Sequence, residues 1–154
     1  MSSVVKIEAR AYCRATEISD RVASAIKSLY PEEFRELVEF ESTKVEGHSG
    51  DKIQVLRSEL RDKVRCDVTL DYIFGKLKET DRRYLRDSLL QRLDENCVLF
   101  VRIDKQAAFL NKVVLARGPD VISVQVHIRQ YPRCKQDDVI AMLEDRLHVT
   151  GGDD

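Results

Sequence analysis

A single α+β domain, a mostly antiparallel curved sheet with helices packed on one face, is the fold class the sequence predicts. Three observations predict it. Several segments alternate apolar and polar residues, the mark of strands with one wet face. Others place apolar residues at helical spacing. No internal repeat or low-complexity linker divides the 154 residues, a length that suits one domain with a real core. Strands with one polar face suit an antiparallel sheet that is covered on one side and open on the other. The expected domain is residues 1–150, with 151–154 as a disordered tail.

Each element follows in order. Over residues 4–13, Val5, Ile7, Ala9, Ala11 and Cys13 point one way, and Lys6, Glu8, Arg10, Tyr12 and Arg14 the other. Thr16 is an expected N-cap, with Glu17 in the first turn of a helix carried by Ile18, Val22, Ala25, Ile26 and Leu29 and ended by Pro31. Residues 37–46 and 53–60 flank Gly47-His48-Ser49-Gly50-Asp51 and read as a hairpin, its untidy alternation suggesting an edge. Residues 61–68 read as loop. A short helix follows at 69–78 through Leu70, Ile73, Phe74 and Leu77. Thr80 caps another, with Leu85, Leu89, Leu90 and Leu93 as its buried stripe. Cys97 to Ile103 is a strand, residues 105–111 a short connection, and Val113 to Ala116 a further strand. In the last strand Ile122, Val124, Val126 and Ile128 face in, while Ser123, Gln125, His127 and Arg129 face out. Val139, Ile140, Leu143 and Leu147 mark a final helix.

Composition narrows the function classes. Charged residues make up 34 % and hydrophobic residues 43 %, as in an ordered soluble protein with a charged surface. Net charge is −1 and the pI about 6.3, against the pI above ~9 of many dedicated nucleic-acid domains. Any nucleic-acid contact must therefore be a local basic patch. The absence of Trp argues against a ring-rich stacking protein. Cys13, Cys66, Cys97 and Cys134 form no C-x-x-C pair and no regular ligand spacing, so four free, reduced thiols, no metal, no cofactor and a cytoplasmic location are expected. Lys6, Glu8 and Arg10 stand too early for a signal peptide. No apolar run approaches the ~18 residues of a membrane helix.

The sequence lacks the G-x-S-x-G, H-E-x-x-H and G-x-x-x-x-G-K-[ST] patterns, which argues against the corresponding hydrolase and nucleotide chemistries. Gly47-His48-Ser49-Gly50 lies in a hairpin and not before a helix, so it reads as a plain turn or as a functional one. Asp104 reads best as a strand-end residue accepting backbone hydrogen bonds. The outward residues Arg10, Tyr12 and Arg14 of the first strand, with Gln125, His127, Arg129 and Tyr131 of the last, would form a basic and aromatic platform if those strands adjoin. The alternative is a solvated face with pairs such as Glu8 with Arg129.

Three blocks, in this order and spacing, carry a family resemblance over residues 4–131. They are Arg10 through Glu17, Gly47-His48-Ser49-Gly50, and Arg102-Ile103-Asp104-Lys105-Gln106-Ala107-Ala108 followed by Ile122-Ser123-Val124. Together they resemble small archaeal proteins described as RNA-binding or predicted exosome subunits. The turn departs from the family pattern, carrying Asp51 and Lys52 where Asn commonly follows the second glycine. The resemblance implies a fold like that of the large-subunit ribosomal protein that binds 5S rRNA, and it implies RNA binding beside RNA-processing machinery. The expected function is non-catalytic RNA binding through Arg10, Arg14, His48, Lys52, Arg102, Lys105, Gln106 and Arg129. RNA is the expected partner, with an RNA-processing protein complex as a further one and no membrane. The alternative is a protein–protein adaptor that does not touch RNA.

Overall fold

The computed structural model describes residues 2–46 and 52–148. The expected tail at 151–154 and the glycine turn with His48 lie outside them. The chain runs through β1 (Ser2–Cys13), α1 (Ser19–Lys27), a 3-10 helix (Glu32–Leu37), β2 (Glu39–Glu46), β3 (Lys52–Arg61), α2 (Lys63–Lys76), α3 (Glu79–Asp87), α4 (Leu89–Arg92), β4 (Val98–Asp104), α5 (Lys105–Phe109), β5 (Val121–Gln130) and α6 (Gln136–Arg146). The strands form one sheet in the order β2-β3-β1-β5-β4, and every neighbouring pair is antiparallel. β1 and β5, the two cleanest alternating segments, adjoin at its centre.

One sheet face is buried under the helices. Ile7, Ala9, Ala11 and Cys13 of β1, Leu56 and Leu60 of β3, Leu99, Val101 and Ile103 of β4, and Ile122, Val124, Val126 and Ile128 of β5 line it. Val22, Ala25 and Ile26 of α1, Cys66, Leu70, Ile73 and Phe74 of α2, and Val139 and Leu143 of α6 meet them. One polar pair sits in this core. Ser58 Oγ donates to the Ala9 carbonyl at 3.1 Å, so the Tyr30 hydroxyl donates to Ser58 at 2.9 Å. The register expected for β5 holds. A bulge between Val4 and Lys6 shifts the start of β1 by one residue, so Val4 is buried and not Val5.

Several local expectations are corrected. α1 starts at Ser19 with Ile18 at the cap position, because Glu17 is held in a turn by the Arg14 carbonyl (2.9 Å) and Thr16 precedes it. Residues 63–68 are helix, not loop. Asp62 accepts from Val64 N at 3.0 Å, and Cys66 begins the stripe that Leu70 and Ile73 continue. Lys78, not Thr80, stands at the N-cap of α3. The chain bends at Ser88 between α3 and α4, whose hydroxyl donates back to the Tyr84 carbonyl at 2.8 Å, and Leu90 turns out to solvent. The connection after β4 contains α5, with Asp104 Oδ1 accepting from Ala107 N at 2.9 Å, the capping role read for it. Residues 113–116 form a single bridge to β4, Ile103 with Leu115, and not a strand. Ala116 N donates to the Arg102 carbonyl at 2.9 Å and Asp104 N to the Val114 carbonyl at 2.8 Å, while Leu115 N points away from β4 and donates to the buried Asp81 carboxylate at 3.0 Å.

The expectation of four free thiols is also corrected. Cys97 and Cys134 are disulfide-bonded with their Cα atoms 5.8 Å apart. They are 37 residues apart in sequence, and only the β4–β5 pairing and the turn after β5 bring them together. Cys13 and Cys66 are free and buried, and burial pushes the Cys66 thiol up to about 11. Among the described residues no helix is long and apolar enough to cross a membrane.

Candidate nucleic-acid interface

Residues directly opposite in antiparallel strands share a face, so the register orders the open face into rows. One row reads Glu41, Arg57, Arg10, Ser123, Arg102 from β2 to β4. The next reads Glu39, Glu59, Glu8, Gln125, Phe100. At roughly 4.8 Å per strand, Arg10 and Arg102 stand about 10 Å apart with Ser123 between them.

The two halves of this face differ in electrostatics. Toward β3 the charges cancel. The Arg57 guanidinium bonds Glu8, and lies 3.2 Å from Glu41 and 3.4 Å from Glu59. Lys6 reaches Glu8 at 3.0 Å, and Arg61 reaches Glu59 at 2.9 Å. Burial pushes the Glu8 carboxyl up, but Lys6 and Arg57 outweigh it and hold it below the usual range. The ion-pair partner of Glu8 on a neighbouring strand is thus the diagonal Arg57, while Arg129 lies opposite Ser3. Toward β4, Arg10 and Arg102 are exposed and have no ion pair among the described residues. Tyr12 (54 % exposed) and Phe100 (42 %) flank them. Cations without carboxylate partners beside open rings match the needs of a phosphate backbone and unpaired bases. His127 is half-buried beyond this patch, opposite Lys6.

A second cationic site forms where the β2–β3 hairpin passes the end of β1. Arg14, Lys44 and Lys52 line a notch of about 190 Å³ with Glu17, Ser19 and Gln54. Beside it, sharing Glu17, lies a groove of about 500 Å³ lined by Thr16, Ile18, Arg21, Gln106, Phe109 and Leu110.

Between this pole and the sheet sits Lys105, only 2 % exposed. Its ammonium donates to the Tyr12 carbonyl (2.9 Å) and Glu17 Oε1 (3.0 Å), and lies 2.9 Å from Asp120 Oδ1. Gln106 Nε2 donates to Asp120 Oδ2 at 2.7 Å. Burial pushes Asp120 up, but Gln106 and Lys105 outweigh it and hold its carboxyl low. The Asp104-Lys105-Gln106 block therefore caps α5 and ties the end of β1, the loop before α1 and the turn before β5 into one unit. Among the described residues no cluster of three or more His, Cys, Asp or Glu side chains is placed to hold a metal ion.

A family model described as RNA binding matches residues 6–128. The chain belongs to this RNA-binding family. It is similar to the RNA-binding protein PAB1135 of Pyrococcus abyssi, at 34 % identity over 139 residues covering 90 % of each chain. The crystal structure of protein AF2318 from Archaeoglobus fulgidus matches it with a TM-score of 0.79 at 30 % identity, over 93 % of this chain and 99 % of that one. Mth689, a DUF54 protein from Methanothermobacter thermautotrophicus, matches with a TM-score of 0.76 at 25 % identity, over 95 % of this chain and 99 % of that one.

Within this member of the RNA-binding family, the residues singled out from sequence separate into groups. Arg10 and Arg102 share a row on the open face, Arg14 and Lys52 share the notch, and Gln106 lines the groove. Lys105 is turned inward, so its head does not meet solvent. Arg129 is on the open face six residues along β5 from Ser123, about 20 Å away at strand rise. His48 falls outside the described residues. Two residues were missed. Phe100 was readable from the alternation of β4, where Leu99, Val101 and Ile103 face in. Lys44 was hidden by the irregular pattern of β2.

Proposed function

We propose that this protein is a non-catalytic, cytoplasmic binder of single-stranded RNA that uses the β4 side of its open sheet face. Arg10 and Arg102 neutralise phosphates, Tyr12 and Phe100 stack on unpaired bases, and Ser123 and Gln125 offer hydrogen bonds. The observation that carries this reading is the split of the face, with carboxylates pairing the cations of β3 and leaving Arg10 and Arg102 open beside two exposed rings. A patch this small suits the net charge of −1. The proposed setting is an RNA-processing, exosome-like assembly, supported by the resemblance of the three sequence blocks. The test is a filter-binding titration with single-stranded and structured RNA across salt concentrations. Arg10→Ala with Arg102→Ala should weaken binding and lower the magnitude of the salt slope by roughly 1 per cation. No RNA affinity at low salt overturns the reading.

One observation favours the adaptor as a second reading. β2 is an edge strand whose residues from Glu41 to Glu46 are exposed, an open ladder onto which a partner's strand can add. Partner affinity that barely changes with salt, with no RNA affinity, would select it.

A further inference from the structure

The β2–β3 hairpin runs past the helical layer, which leaves polar side chains at positions that would otherwise be core. On β3 the inward phase reads Leu60, Ser58 and Leu56, all buried, then Gln54 and Lys52, which are not. Lys44 pairs with Gln54 and shares its phase. Arg14 follows the last residue of β1, in the outward phase of Arg10 and Tyr12. Although it leaves β1 in the opposite phase, Arg14 lines the notch together with Lys44 and Lys52, so three cations meet there from three segments. Glu17 is the one carboxylate among the notch residues named above. It is already engaged, accepting from Lys105 Nζ at 3.0 Å and from Arg14 N at 3.0 Å. Among the described residues Arg14, Lys44 and Lys52 have no ion pair. A small cavity ringed by open cations, its carboxylate neutralised from behind, suits an anion.

The adjoining groove has a different character. Ile18 and Leu110 are exposed apolar residues on its walls, with Phe109 between them and the core. Gln106 gives its amide nitrogen to Asp120, which leaves its carbonyl oxygen as an acceptor. Ligand pockets commonly measure ~300–1,000 Å³. The groove, at about 500 Å³, lies in that range and the notch, at about 190 Å³, below it. The division matches a nucleoside and its phosphate.

We infer that the notch and groove together bind one nucleotide of an RNA strand, its phosphate between Arg14, Lys44 and Lys52 and its base against Ile18, Phe109 and Leu110. This rests on the RNA-binding reading and adds a second contact to it. A strand lying over Arg10 and Tyr12 reaches the notch at Arg14, about 13 Å along β1 at strand rise. The nucleotide is either the 5′-terminal one or an internal one, with the same phosphate chemistry.

The test uses fluorescent hexaribonucleotides bearing a 5′-phosphate or a 5′-hydroxyl. Each is titrated at low salt into the wild type, Lys44→Glu/Lys52→Glu, Ile18→Ser/Leu110→Ser, and Arg133→Glu/Lys135→Glu at the opposite end of the sheet. All six substituted positions are exposed, and thermal melting verifies folding. The notch variant should lose about ten-fold or more in affinity, with a shallower salt slope. The groove variant should lose several-fold with the slope unchanged, and the distant pair much less than the notch pair. A terminal nucleotide is indicated if the 5′-phosphate strengthens wild-type binding and that gain vanishes in the notch variant; equal binding of the two oligonucleotides indicates an internal one. Wild-type affinity in the notch variant, or an equal loss in the distant pair, overturns the inference and leaves the RNA-binding reading standing. No wild-type affinity for either oligonucleotide overturns both.

Discussion

Lys105 shows how a residue's environment decides its role. By sequence it is a cation after a strand, beside other cations, and a phosphate contact is the natural expectation. In the fold its ammonium is enclosed by Tyr12, Glu17 and Asp120. Its worth is structural, because removing it strands two carboxylates and a carbonyl. Lys105→Met should lower stability by about 2–3 kcal/mol, below the ~3–5 of a fully buried pair because Glu17 and Asp120 keep contact with water. Chemical denaturation checks this, with a shift of midpoint and no change in slope as the expected form. RNA affinity of the folded fraction should fall only through the loosened loop at Arg14. Arg102→Ala, three residues earlier and at an exposed position, should behave oppositely, with little cost in stability and a direct loss of affinity. Replacing the pair together would confound the two effects, which is why Arg10 is the right companion for Arg102.

At the scale of elements, the joins carry the specificity. Gln136 ties α6 to the loop before β4 by donating to the Asp94 carbonyl at 3.0 Å, and Arg146 joins α6 to Asp67 and Asp71 of α2. The Cys97–Cys134 bond closes the same corner covalently. With its cysteines 37 positions apart, it restricts the unfolded chain by an amount worth about 3–4 kcal/mol in the loop-entropy description. Reduction should therefore lower the Tm by on the order of 10 °C, measured by paired melts with and without reductant. Cys97→Ser with Cys134→Ser should melt like the reduced protein and be indifferent to reductant. A disulfide is unusual in a reducing compartment. Alkylation at the moment of cell lysis, followed by thiol counting, decides whether the bond forms there: two blocked thiols per chain support the bond, four exclude it.

Over the whole molecule, the ionisable groups with shifted pKa values set how the fold responds to acid. Burial, helped by Lys6, outweighs the Glu8 carboxylate 3.8 Å from its Nε2 and pushes His127 below its ordinary 6.5. Glu8 and Asp120 are also held low. For all three the unfolded state takes up the proton first, so stability rises with pH wherever they titrate. The expected profile is a decline that begins as pH falls through 6.5 and steepens below the ordinary carboxylate values of 4.5 and 3.8. His127→Gln should flatten the upper part alone, as read from denaturation midpoints between pH 5 and 7. The helix-and-sheet plan itself was legible in the sequence. Alternation in β1 and β5 and the apolar stripes of α1, α2 and α6 are local periodicities, and burial of one face follows from them whatever the partners are. The register of β5 and the outward phase of Arg10 and Tyr12 came from the same source. Charge patterns misled where propensity was read alone. The polar run at 61–68 is helix because Asp62 caps it and Cys66 finds the core, and residues 113–116 touch β4 at a single bridge, with the Leu115 amide turned the other way onto the Asp81 carboxylate. What the tertiary structure alone decided is adjacency: which carboxylates cancel which cations, the enclosure of Lys105, the disulfide across 37 residues, and the meeting of Arg14, Lys44 and Lys52. Electrostatic and covalent partners are chosen by distance in space, and a period of two or of 3.6 residues carries no information about that distance.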